Sequence, residues 1–127
     1  MPSWSDYKSH AKERGALAHE VYMAQSTPQK SPKKLQAVLP DHLAYQRQLE
    51  QAGQLMFAGP LSDETGELMQ GAGMMIYRAA SLEEARTLAE ADPMHATGTR
   101  SFVLRRWLIN EGSVTLHIKL STNTSSL

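Results

Sequence analysis

The sequence contains no cysteine. That excludes a disulfide framework, thiolate catalysis and cysteine-held metal, and it fits the cytoplasmic setting we expect. No stretch approaches the ~20 consecutive apolar residues that span a bilayer. The opening Met1-Pro2-Ser3-Trp4-Ser5-Asp6 has no apolar run of signal-peptide length, so a membrane is not an expected partner. Charge of one sign is also missing. The 13 basic and 13 acidic side chains cancel, leaving no long-range attraction for nucleic acid or anionic lipid. The basic run Lys30-Ser31-Pro32-Lys33-Lys34 is short, lies among prolines and reads as solvated loop. The five histidines show no HxH or HExxH spacing, so no metal site is expected. No glycine pattern follows a strand and opens a helix, and no serine sits in a nucleophile elbow. Cofactors are therefore not expected, nor a serine triad.

What is present suits one small domain: 127 residues, 41% hydrophobic and 20% charged. Residues 4 to 14 read as a short helix or arm ended by Gly15. Residues 16 to 26 alternate, with Leu17, His19, Val21 and Met23 on one face, and form a strand. Residues 27 to 34 read as loop. Leu35, Val38, Leu39, His42, Leu43 and Leu49 share a helical stripe. Because proline suits a first turn, the main helix is expected to start near Pro40-Asp41, after a separate turn, and to end at Gly53. Residues 54 to 58 make a second strand, cut off by Gly59-Pro60. Residues 73 to 79 make a third. Ser81 and Glu84 form a capping box for a helix that buries Leu82, Ala85, Leu88 and Ala89. That helix must stop at Asp92, because Pro93 disfavours helical geometry before it. Residues 100 to 109 are a fourth strand, residues 114 to 120 a fifth, and the tail reads as frayed.

The order β-α-β-β-α-β is the ferredoxin-like split pattern, an α+β fold with an antiparallel sheet. We expect one domain with a core over about 16–109, an N-terminal arm over 1–15 and a C-terminal extension over 110–127. Two helices cover one sheet face, and a second copy is the simplest cover for the other.

Asp92-Pro93 is the strongest local feature. The carboxylate sits at a rigid boundary and serves either as an acid or base, or as a helix-terminating group bonded to nearby amides. His42 lies on or beside an apolar stripe, so it is either a satisfied core residue or a proton carrier facing a pocket. Both helices pack on the same sheet face, which permits the two to meet. Gly59-Pro60 allows close approach of a ligand to backbone, or is a turn. His95 and Arg100 follow Asp92 closely and line the same pocket if there is one. Arg100 suits a carboxylate.

Four motifs then form an ordered set: Asp41-His42-Leu43-Ala44-Tyr45, Ala58-Gly59-Pro60-Leu61, Ser81-Leu82-Glu83-Glu84-Ala85 and Ala91-Asp92-Pro93. Their order and spacing resemble the YCII-related family from about Ala16 to Trp107. The resemblance implies a dimeric α+β barrel, similar to muconolactone isomerases, and a histidine–aspartate pair that maps onto His42 and Asp92. It implies a small-molecule enzyme of lyase or isomerase type without cofactor, since one relative is a dehydrochlorinase of a chlorinated aromatic. A non-catalytic metabolite-binding or dimerisation module is the alternative. Tyr45, Gly59, Pro60, His95 and Arg100 are the expected substrate contacts. The arginine that many members carry shortly before the histidine is absent, and Val38-Leu39-Pro40-Asp41 stands there instead.

Overall fold

The computed structural model describes residues 1–127. Its helices start where short polar side chains can accept backbone amides. Ser3 accepts the Asp6 amide and opens α1 (Trp4–Glu13). Ser31 accepts the Lys34 amide and opens α2 (Pro32–Gln51). Ser81 accepts the Glu84 amide and opens α3 (Leu82–Ala91). The Glu84 carboxylate reaches back to the Ala80 amide at 3.0 Å, which completes a capping box. A further short helix, α4 (Pro93–Ala96), follows at once.

The expected start of the second helix is corrected. The helix is continuous from Pro32, with Pro40 inside it. Ser31 as cap and Pro32 in the first turn give the stronger start signal. Pro40 costs one backbone bond, which the remaining turns of a 20-residue helix outweigh.

The strands are β1 (His19–Pro28), β2 (Leu55–Pro60), β3 (Gly73–Tyr77) and β4 (Arg100–Ile109). They form one sheet in the order β2-β3-β1-β4. β1 and β3 are antiparallel, with Tyr22 opposite Tyr77 and Ala24 opposite Met75. β2 and β3 are antiparallel too, with an irregularity between Leu55 and Phe57. This is the α+β order read from the sequence. β2 does not stop before Gly59-Pro60, as expected. Gly59 pairs with Met74 and Pro60 with Gly73. An edge strand tolerates a residue that lacks an amide proton, which is why Pro60 fits.

Two compact units divide the chain: residues 20–107, and the terminal segments 1–19 with 108–127. In the first, Tyr22, Ala24, Met75 and Tyr77 on the sheet meet Leu49 of α2 and Ala85 and Ala89 of α3. Phe102, Leu104 and Tyr45 pack against that cluster. Alternation along β4 puts Val103 and Trp107 on the opposite sheet face, and the shift after Leu55 pairs Phe57 with Ile76, out of phase with Met75 and Tyr77; all three are exposed. In the second unit Ala11, Ala18 and Leu108 form a small cluster with Trp4 and Ala16. The expected fifth strand is shorter than read. β5 (His117–Lys119) pairs with β6 (Thr124–Ser126), so the tail forms a hairpin instead of fraying. No helix is long and apolar enough to cross a membrane.

Candidate active site

Asp92 owes its position to Pro93. Proline disfavours helical geometry in the residue before it, and Asp92 has φ −60° and ψ 125°, an extended conformation between two helices. It ends α3 and caps α4, and its Oδ1 accepts the Met94 amide at 2.9 Å. The carboxylate is 1% exposed. His42, at the middle of α2, brings Nδ1 within 2.8 Å of both Asp92 oxygens. A carboxylate has no proton to give, so Nδ1–H donates and Nε2 is the ring nitrogen left for proton exchange. One side chain thus both caps backbone, as the helix-terminating reading expects, and meets the His42 ring.

His42 lines a cavity of about 400 Å³, a size that accommodates a ring-sized ligand. Gly59, Pro60, Ser26 and Arg100 also line it, and Leu39, Leu43, Met69, Met75 and Met94 supply apolar surface. The cavity therefore brings together His42, Gly59, Pro60 and Arg100 from the expected set. Tyr45 and His95 stand elsewhere. Tyr45 packs against the core, and its hydroxyl donates to the Leu88 carbonyl at 2.7 Å. His95 stands behind the wall, bonded through Nε2 to Ser26 Oγ at 2.9 Å and through Nδ1 to the Ala89 carbonyl at 2.7 Å. Its ring is tilted against Phe102 with centroids 4.7 Å apart. His10, His19 and His117 are exposed.

Ser26 is the residue that sequence reading missed. It is 2% exposed, yet it is polar and lies on the inward face of β1 beside Tyr22 and Ala24. A serine in phase with buried residues needs a partner, and that phase was the available signal. The partners are His95, 69 residues away, and Arg100, whose Nε donates to Ser26 Oγ at 2.8 Å.

Burial, with the Ala89 carbonyl and Asp92 opposing it, holds the His95 imidazole below the ordinary histidine range. Burial also raises the Tyr45 and Tyr77 hydroxyls, and Asp92 adds to both shifts. Those phenols stay neutral. The site's charge then rests on Asp92, the Arg100 guanidinium and the protonation state of His42.

A family model described as the YCII-related domain matches residues 19–108. The uncharacterized protein YjpA of Bacillus subtilis (strain 168) is 31% identical over 70 residues, which cover 55% of this chain and 75% of that protein. Among solved structures, 5-chloro-2-hydroxyhydroquinone dehydrochlorinase (TftG) from Burkholderia phenoliruptrix AC1100, in complex with 2,5-dihydroxybenzoquinone, is similar in fold. Its TM-score is 0.51 at 22% identity, over 68% of this chain and 92% of that one.

Proposed function

The chain belongs to the YCII-related family, and from that premise we propose that it is a small-molecule enzyme of lyase or isomerase type working by acid–base chemistry. The observation that carries this reading is the His42 Nδ1–Asp92 contact of 2.8 Å at the wall of the cavity. Asp92 fixes the tautomer and orientation of the ring, and it stabilises the imidazolium when Nε2 takes a proton. In an isomerisation the same proton returns to a different atom of the substrate. In an elimination the electron pair left behind forms the new double bond, and the leaving group departs with its own pair.

The fold relative acts on a chlorinated hydroxyhydroquinone, according to its name. That compound is the natural first candidate, with chloride release as the readout, followed by other hydroxylated rings. Substitution of His42 by Ala and of Asp92 by Asn should each abolish turnover of whichever compound is consumed. Unchanged turnover in both variants overturns the reading. Saturable binding without product in any case favours a binding module instead. A homodimer belongs to the same proposal. The exposed sheet face with Phe57, Val103 and Trp107 is the surface a second copy would cover.

A further inference from the structure

Arg100 has five N–H groups and no acceptor. Nε donates to Ser26 Oγ at 2.8 Å. Nη2 donates to the Ser26 carbonyl at 3.2 Å and to the Gly71 carbonyl. These bonds occupy Nε and Nη2, and Nη1 makes none with the protein. The Ala89 carbonyl can only accept, so His95 Nδ1 carries the proton that is given to it at 2.7 Å. In the neutral ring Nε2 is then an acceptor, and it takes the Ser26 hydroxyl proton at 2.9 Å while Ser26 Oγ accepts from Arg100. A protonated His95 would point N–H at Ser26, which already accepts from Arg100, and would leave the serine proton without an acceptor.

The guanidinium is thus clamped by one half of its fork while the other half is unused. No aspartate or glutamate lines the cavity beside it. Asp92 acts on Arg100 through its charge, but its hydrogen bonds go to His42 and the Met94 amide. Most of the wall is apolar, and the part-buried Arg100 feels the charge of Asp92 but makes no ion pair or hydrogen bond with a carboxylate.

We propose that the cavity takes a small ring-bearing anion, whose ionised oxygen is held by Arg100 Nη1, and that Ser26 and His95 are positioning residues that aim the guanidinium. This deepens the acid–base reading by naming its substrate class, and in its role it rests on that reading. Its test does not, because it needs binding alone.

Benzoate and its uncharged analogue benzamide are titrated into the full-length protein by calorimetry. A charge-assisted bond to a desolvated guanidinium predicts benzoate binding about tenfold or more tighter than benzamide. Arg100→Gln should erase the preference by weakening benzoate alone. His95→Leu should reduce the preference, and His95→Gln, whose side-chain oxygen can accept the Ser26 proton, should restore it. The ratio of the two affinities is the readout, since general damage to the fold weakens both ligands equally. Equal affinities in the unaltered protein, binding of neither ligand, or a preference that survives Arg100→Gln overturns the proposal. If the preference holds but His42→Ala leaves turnover intact, the acid–base reading falls and the anion site stands.

Discussion

The Nδ1 of His42 lies 2.8 Å from each oxygen of Asp92, and one of those oxygens also accepts the Met94 amide at 2.9 Å. Two positions fifty residues apart in the chain therefore converge on a carboxylate that also holds the start of α4. Substitutions at Asp92 should accordingly separate a chemical effect from a structural one.

Asp92→Asn keeps an oxygen for the Met94 amide but no longer presents two anionic acceptors to His42. Turnover should fall by about 100- to 10,000-fold, with a smaller change in KM. Asp92→Ala should lower stability as well, by about 2–4 kcal/mol, because a cap and a buried acceptor disappear together. Steady-state kinetics and urea denaturation of the two variants check this pair of outcomes.

Acid should weaken the fold through His95. Its folded-state value is held low by burial. As pH falls below about 6.5, the unfolded chain takes up a proton that the folded chain resists. The stabilisation is complete above that pH and is lost as pH drops toward the folded value. Thermal midpoints at about pH 7.5 and about pH 5.5 should differ more in the unaltered protein than in His95→Gln, since the variant removes this group's contribution. Equal differences would remove His95 as the cause.

Gly71 is intolerant of a side chain. Its φ is +96°, and a Cβ there would stand 2.6 Å from Pro28 Cγ. Gly71→Ala should cost about 1–3 kcal/mol by differential scanning calorimetry. It should also weaken the grip on Arg100, whose Nη2 bonds the Gly71 carbonyl.

Pro40→Ala should raise the melting temperature. The substitution restores a backbone amide inside α2 and relieves the clash a proline makes with the preceding turn, a gain of up to about 3 kcal/mol. The same change adds a backbone hydrogen bond two residues before His42, where a small shift of the ring would disturb its contact with Asp92, so activity should fall while stability rises.

The proposed dimer has its own test. Val103→Glu combined with Trp107→Glu places charge on the exposed sheet face. Light scattering at micromolar concentration should report a dimer for the unaltered chain and a monomer for the variant. A monomer in both would remove the second copy from the account.

Local signals in the sequence were sufficient where one mechanism dominated. The Ser81–Glu84 capping box, the stop before Pro93 and the full extent of β4 (Arg100–Ile109) all read directly, because caps, proline and alternation act within a few residues. The start of α2 did not. Two prolines compete for the first turn, and the Ser31 cap decides for Pro32 and leaves Pro40 inside the helix. Pro60 in β2 was missed because only the sheet order reveals that β2 is an edge. At the site, His42, Asp92 and Arg100 are types whose chemistry announces itself. Ser26 and the turned-away positions of His95 and Tyr45 depend on partners 43 to 74 residues distant, which periodicity does not encode.

Because one carboxylate both joins α3 to α4 and orients His42, selection for a stable chain alone would preserve it. A related chain without the proposed chemistry would still need an acceptor for the Met94 amide and would keep Asp92. His42 carries no such obligation, as no backbone group depends on its ring. Under the proposed acid–base role, the histidine is thus the residue whose loss in a related chain would mark lost chemistry, and the aspartate alone would say little about it.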